Sequence, residues 1–135
     1  MENLVTNKNI RNTKVRRHML RLFSTTNAPM SAIDIQAHLL RNDLSVNKTT
    51  IYRELSFLKS LNLIRDIEFG DGKKRYERTD SKHHHHLICI KCDMIKDVEI
   101  DFDLSKNLDK LEKESKFKIM KHSLELFGVC KKCQF

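Results

Sequence analysis

The chain has 135 residues, an apolar fraction of 39% and a formal net charge of +8. This apolar fraction excludes a disordered protein, and no apolar run is long enough to span a membrane. The polar, basic start shows no signal peptide, which predicts a cytoplasmic location and no membrane partner. The positive charge favours an anionic partner such as nucleic acid, and most of the excess lies in residues 1–80.

Three amphipathic helices are predicted in the first half of the chain. The first runs from about Ile10 to Ser24, with one apolar stripe and basic residues on its other faces. Ser31 is typical of an N-cap and begins the second helix. Asn47 can cap the third, whose apolar stripe starts at Ile51 and whose other side is polar and basic.

A basic hairpin follows the third helix. A period-2 strand over 63–69 leads into the turn Gly70-Asp71-Gly72, and residues 73–78 return. Three helices and then a hairpin are typical of a winged helix-turn-helix, whose third helix enters the major groove of DNA. We therefore expect a winged-helix DNA-binding domain over residues 1–80. The alternative is a generic helical domain with a solvated charged surface.

The remaining residues predict a small α/β dimerisation domain over 83–135, reached through a polar hinge at 79–82. A helix is expected from Leu104 to about Ser115, with strands at 87–90, 94–100, 117–122 and 124–129. About fifty residues cannot bury the faces of such a unit alone. The chain is thus predicted to be an α+β protein that forms a homodimer, with the symmetry that a palindromic operator needs.

All four cysteines fall in two Cys-x-x-Cys pairs, Cys89/Cys92 and Cys130/Cys133. Two such pairs are the usual ligands of a closed tetrahedral zinc site. In the cytoplasm these pairs are more often metal ligands than disulfides, which are the alternative. The pattern predicts a structural zinc site with four cysteine ligands.

Four histidines, His83 to His86, stand directly before the first cysteine pair. Residues two apart in a strand point to the same side, so His84 and His86 form one pair and His83 and His85 another. Imidazoles at this place could hold a second, exchangeable metal. The alternative is a surface cluster that binds metal weakly and without function.

Four short motifs occur in a specific order between about Thr13 and Cys133. They are Thr49-Thr50-Ile51-Tyr52-Arg53 in the third helix, Tyr76-Glu77 in the return strand, the histidine run before Cys89, and the pattern His-Ser-Leu-x-x-x-Gly-x-Cys-x-x-Cys that begins at His122. Together they resemble the ferric uptake regulator (Fur) family of metal-dependent transcriptional repressors.

The resemblance implies four groups of functional residues. The structural zinc ligands are Cys89, Cys92, Cys130 and Cys133. A regulatory site for Fe2+, Mn2+ or Zn2+ consists of Glu77, His84, His86 and Asp97. An additional metal site consists of His83, His85, Asp103 and His122. The DNA contacts are Arg16, Thr50, Tyr52 and Arg53.

The sequence departs from the family pattern at two ligand positions. Pro29 stands where many relatives have a histidine that binds the regulatory metal, and His38 in the following helix is not an evident replacement. Ser105 stands where relatives carry the acid of the additional site, with Asp101 and Asp103 as nearby substitutes. The ligand count of both sites is therefore open.

These features predict a metal-responsive repressor, not an enzyme, that binds double-stranded operator DNA as a dimer when its regulatory site is loaded. A peroxide-sensing or zinc-sensing member of the family is an alternative that the sequence does not separate. A zinc-dependent hydrolase is disfavoured because there is no His-x-Glu or His-Glu-x-x-His arrangement. A zinc-stapled scaffold without DNA binding would leave the basic first half unexplained.

Overall fold

The structure, a computed structural model, describes residues 10–80, 84–100, 104–120 and 122–135. The chain divides into two compact units, Met1–Lys82 and His83–Phe135. The helices of the first unit are α1 (Lys14–Thr25), α2 (Ala32–Arg41) and α3 (Lys48–Ser60). Its strands are β1 (Met30–Ser31), β2 (Ile64–Glu68) and β3 (Lys74–Arg78).

Side-chain caps set where the three helices begin. The Thr13 side chain accepts a hydrogen bond from the Arg16 backbone N–H, so α1 begins at Lys14 and not at Ile10 as predicted. Ser31 forms a capping box with Asp34, and Asn47 Oδ1 accepts from the Thr50 N–H at 2.8 Å. The predicted N-caps of the second and third helices are confirmed.

The core of the first unit lies between the helices and one face of a small sheet. Its largest fully buried side chains come from all three helices and are Met19, Leu20, Phe23, Ile35, Leu39, Ile51, Leu55 and Leu58. The sheet order is β1-β3-β2, with Asp66 opposite Tyr76 and Glu68 opposite Lys74. The short strand β1 was not predicted; Met30, just after Pro29, pairs with Tyr76.

The second unit contains strands β4 (His85–Cys89), β5 (Ile95–Val98) and β6 (Glu125–Gly128), together with helix α4 (Leu104–Ser115). The sheet order is β5-β4-β6, with β4 antiparallel to β5 and parallel to β6. The strand predicted over 117–122 is wrong for residues 117–120 and 122, which form no strand. Part of the polypeptide after α4 is instead held by the Ile119 N–H, which donates to Glu112 Oε1 at 2.6 Å.

The second unit has a thin core. Helix α4 buries none of its side chains, and Leu111, Phe117 and Met120 are more than half exposed. In the part of the chain that the structure describes, no helix has the length and apolar character needed to cross a membrane. The two units together confirm the predicted α+β class, in which a winged helix-turn-helix precedes a small α/β unit.

Candidate metal centres and DNA-binding surface

The four cysteines of the second unit form a cluster. Their Sγ atoms all lie within 4.8 Å of one another, and Cys92 Sγ lies 3.8 Å from Cys130 Sγ. A tetrahedron of sulfurs at about 2.3 Å from zinc has edges of about 3.8 Å. The separation of Cys92 Sγ and Cys130 Sγ matches such an edge, and the four sulfurs lie close enough together to hold one Zn2+, as the spacing of the two pairs predicted.

The backbone around the cluster stabilises a thiolate at Cys89. The Cys130 N–H donates to Cys89 Sγ at 3.3 Å, and this bond, with one from the Lys91 backbone, lowers the pKa of Cys89 to about 6. Hydrogen bonds with the neighbouring sulfurs of Cys130 and Cys92 raise the pKa of Cys133 to about 12. Four sulfurs this close cannot all ionise without a cation between them, and Zn2+ supplies that charge.

A second cluster lies on the same sheet of this unit. His86 pairs with Asp97 in the β4–β5 register, so both side chains stand on one face. His84 Nε2 lies 3.2 Å from His86 Nε2. Asp97 Oδ1 lies 3.6 Å from His86 Nε2 and 4.0 Å from His84 Nε2. Two imidazoles and a carboxylate thus converge on one point.

One carboxylate oxygen of this second cluster is buried without a hydrogen bond from any described residue. Among the described residues, Asp97 Oδ1 is buried and has no hydrogen-bond partner. A buried carboxylate oxygen without a partner is costly unless a cation or a donor satisfies it. Two neutral imidazoles and a carboxylate make a site of intermediate hardness, which fits a divalent transition metal.

Glu77, predicted as a further ligand of the regulatory metal, lies on β3 in the first unit. Its Oε1 accepts hydrogen bonds from Arg65 Nε at 2.9 Å and from Arg65 Nη2 at 2.7 Å. Arg65 and Glu77 are direct partners in the β2–β3 register. The pair orients the Glu77 carboxylate, as metal-binding carboxylates generally are oriented by a hydrogen-bond partner.

The predicted additional site is only partly visible, because His83 and Asp103 lie outside the described residues. His85 Nδ1 is 3.3 Å from the Leu124 carbonyl oxygen. His122 lines a cavity of about 190 Å³ against α4, together with Asp109 and Glu112. Only His85 and His122 of this set are described, so the additional site stays a prediction.

Asp109 and Glu112 are acidic residues that line this cavity with His122 and that were not predicted from the sequence. They follow Ser105 at helical spacing, so all three fall on one face of α4. The helical period counted from Ser105 indicates these two positions, one and two turns further along α4.

Helix α3 exposes a polar surface that the sequence predicts to contact DNA. Tyr52 is 49% exposed, and Arg53 is exposed beside it. Thr50 is half-buried in the first turn, where its N–H is bound by the cap. Hydroxyl groups at a helix start are suited to phosphate oxygens, and exposed aromatic and basic groups are suited to base edges and phosphates.

Arg16, also predicted to contact DNA, is engaged within the protein. Its guanidinium donates to both carboxylate oxygens of Glu54, at 2.8 and 3.0 Å, and lies 3.8 Å from the centre of the Phe57 ring. The Arg16 side chain is only 11% exposed. Arg16 therefore takes part in the packing of α1 against α3, and its predicted contact with DNA stays a prediction.

Comparison with known proteins shows the family of this chain. The sequence model of the Ferric uptake regulator family matches residues 7–127. The ferric uptake regulation protein of Synechococcus elongatus is 34% identical over 125 residues, which are 90% of this chain and 84% of that protein.

Two solved structures share the fold. The ferric uptake regulator of Helicobacter pylori has a TM-score of 0.79 and 24% identity, covering 99% of this chain and 89% of that one. A zinc-bound manganese uptake regulator has a TM-score of 0.76 and 26% identity, covering 96% of this chain and 97% of that one. Since the family match spans nearly all of the sequence, the chain belongs to the ferric uptake regulator family, whose members are metal-responsive transcriptional regulators and not enzymes.

Proposed function

We propose that this chain is a transcriptional repressor that binds a palindromic DNA operator as a homodimer when a divalent metal occupies its regulatory site. The observation that carries the proposal is the convergence of His84, His86 and Asp97, with Asp97 Oδ1 buried and unpartnered among the described residues. A carboxylate oxygen in that state is stabilised when a cation binds.

Fe2+ is the metal we favour for the regulatory site, with Mn2+ and Zn2+ as the other candidates. Two imidazoles and one carboxylate are the usual donor set of non-haem Fe2+ sites. The four sulfurs are held together in the other cluster, so the regulatory donors are nitrogen and oxygen alone. The zinc-bound manganese uptake regulator of similar fold is a reason to test all three metals.

Glu77 is proposed as a further ligand on the strength of the sequence resemblance. Arg65 orients its carboxylate from the neighbouring strand. A metal bound to Glu77 before residues 79–82 and to His84, His86 and Asp97 after them would restrict the positions that the DNA-binding unit adopts. Metal loading would then favour the spacing of the two DNA-binding units that matches two half-sites of the operator. Such a population shift typically corresponds to a coupling free energy of about 1–3 kcal/mol.

The homodimer is proposed from the apolar surface of the second unit. Strand β6 is at the edge of its sheet, with Leu126 and Phe127 at least 40% exposed. Helix α4 buries no side chain within its own unit. A second copy covering these groups would give the two-fold symmetry of a palindromic operator.

The test is operator binding with and without added metal. Protein freed of exchangeable metal is titrated with Fe2+, Mn2+ and Zn2+ in turn, and binding is measured to a duplex selected from a random-sequence pool. We expect metal to strengthen binding about 5–150-fold in the wild type. His86→Ala and Asp97→Asn should lose this response while keeping one tightly held zinc per chain.

His38→Ala is the matched control, because His38 lies on α2 and its Nε2 is 3.4 Å from Asn42 Nδ2. It should respond to metal as the wild type does. A full metal response in His86→Ala, or a wild type that binds no duplex with any of the three metals, would contradict the proposed function.

A further inference from the structure

An acidic side chain stands between two lysines of the first unit. Asp66 lies on β2, and its Oδ1 is 2.7 Å from Lys59 Nζ at the end of α3. Its Oδ2 is 3.5 Å from Lys74 Nζ on β3. The three side chains are 33–47% exposed. One carboxylate therefore ties the last turn of α3 to the return strand of the hairpin.

These groups lie next to the surface that we propose for DNA binding. Lys59 follows Tyr52 by seven residues and Ser56 by three, so the three exposed side chains share one face of α3. Burial raises the pKa of Tyr76, and so do the nearby Tyr52 and Asp66. Asp66 and Tyr76 are direct partners in the β2–β3 register, which places Asp66 close to this face of the unit.

Asp66 contributes little to folding and opposes the attraction of DNA. An exposed ion pair adds at most a small stabilisation. A hydrogen bond from Lys59 lowers the pKa of Asp66, so the carboxylate stays charged at neutral pH. A carboxylate beside lysines that face phosphates weakens binding to any duplex. What Asp66 can contribute to DNA binding is therefore the position of the two lysine ammonium groups that it holds.

We propose that Asp66 is a positioning residue of the DNA interface. It holds Lys59 and Lys74 at a fixed separation, so that both ammonium groups reach phosphates only on a duplex with the groove geometry of a specific site. On other duplexes the lysines stay with Asp66 and do not displace counterions. Asp66 thereby sets the ratio of specific to non-specific affinity. This inference rests on the DNA-binding part of the proposed function.

The experiment measures DNA affinity as a function of salt concentration for two DNA samples. One is selected from a random-sequence pool by the metal-loaded wild type, and the other is the unselected pool. In Asp66→Asn, the plot of log affinity for the pool against log salt concentration should become steeper by about one for each released lysine. Affinity for the pool at low salt should rise about fivefold, and the specific-to-non-specific ratio should fall by a similar factor.

Two comparisons separate positioning from a simple change in charge. Glu114→Gln removes one charge from a carboxylate that faces Lys110 at 3.8 Å on α4, and it should leave slope and ratio unchanged. In a Lys59→Met, Lys74→Met background, Asp66→Asn should have no further effect.

The inference is overturned if Asp66→Asn behaves like Glu114→Gln, or if its effect persists without the two lysines. These outcomes leave the proposed function standing. A wild type that enriches no duplex with Fe2+, Mn2+ or Zn2+ would contradict the proposed function, and the inference would fall with it.

Discussion

At the scale of single residues, Arg16 makes a contact within the protein that its position in the sequence does not indicate. A basic residue near the start of a DNA-binding domain is usually placed against the phosphate backbone. Here both Arg16 and Glu54 are about 90% buried, and their ion pair joins α1 to α3. Nothing in the spacing of either helix indicates this pairing, because the two residues are 38 positions apart.

Arg16→Ala should lower the free energy of unfolding of the first unit by about 2–4 kcal/mol, because it leaves the Glu54 carboxylate buried without its partner. Urea denaturation of the full chain followed by circular dichroism measures the loss. Arg17→Ala removes a neighbouring, exposed arginine and should change stability by less than about 0.5 kcal/mol. Unchanged stability together with lost DNA affinity in Arg16→Ala would show that Arg16 acts at the DNA surface and contributes little to packing.

For the cysteines, in contrast, the metal-binding chemistry could be predicted almost completely from the sequence. Two-residue spacing within each pair and the absence of any fifth cysteine are enough to predict a four-cysteine zinc site. The backbone donors that lower the pKa of Cys89 could not be predicted, because the Cys130 N–H reaches it across 41 residues of sequence.

Cys92→Ser should leave a chain that holds no tightly bound zinc and whose second unit is poorly folded. Metal binding supplies folding free energy where the apolar core is small. Elemental analysis after purification without chelator measures the zinc, and sedimentation measures the oligomeric state. We expect one zinc per chain in the wild type and a monomer in the variant. A folded, zinc-free wild type would contradict the assignment.

At the scale of elements, the helices of the first unit were easier to predict than the strands of the second. The Ser31 and Asn47 caps act within four residues, so sequence alone fixes where α2 and α3 begin. The strand expected over 117–122 failed because its alternation of apolar residues has no partner strand to pair with in the described part of the sheet. Strand β1 was missed because only its pairing with β3 defines it.

Helix α3 carries two exposed residues with different expected roles in DNA binding. Arg53→Ala should weaken binding to all duplexes and reduce the salt slope by about one, since it loses a phosphate contact. Tyr52→Ala should also reduce the preference among bases, because a lost base-edge contact lowers the free-energy difference between the right and the wrong base by about 1–3 kcal/mol. Both variants should keep the stability of the wild type, because the side chains are exposed.

Binding curves for the selected duplex and for single-base variants of it separate the two roles. Lys113→Ala is the control, since it removes a positive charge from α4 in the other unit. If Tyr52→Ala and Arg53→Ala change affinity equally on every duplex, Tyr52 does not read base edges.

At the scale of the whole molecule, the chain combines a unit with a full core and a unit without one. The first unit buries residues from all three helices, whereas the described part of the second buries Ile88 and Cys89 as its apolar residues. Composition, charge asymmetry and motif order are sufficient to predict this organisation. The ligand count of the regulatory site could not be predicted, because it depends on which side chains converge in space.

Glu77→Ala should resemble His86→Ala and lose the response of operator binding to metal. The expectation follows if Glu77 is the ligand through which metal acts on the DNA-binding unit. Glu68→Ala is the control, because Glu68 is an exposed acid of the same hairpin, opposite Lys74. Operator affinity is measured with and without metal, with sedimentation to check the dimer. A full metal response in Glu77→Ala would place the switch elsewhere, most directly at His85 and His122.

The parallel pairing of β4 with β6 has a consequence for how the second unit reaches its fold. Cys89 is opposite Gly128, and the Ile90 N–H donates to the Gly128 carbonyl at 2.9 Å, so the two strands end together at the cysteine cluster. Forming this pairing requires the chain to close a loop of nearly forty residues before any strand contact stabilises it. Zinc captured by the two cysteine pairs closes that loop in advance. The speed of folding, and not only the final stability, should therefore depend on when the metal arrives.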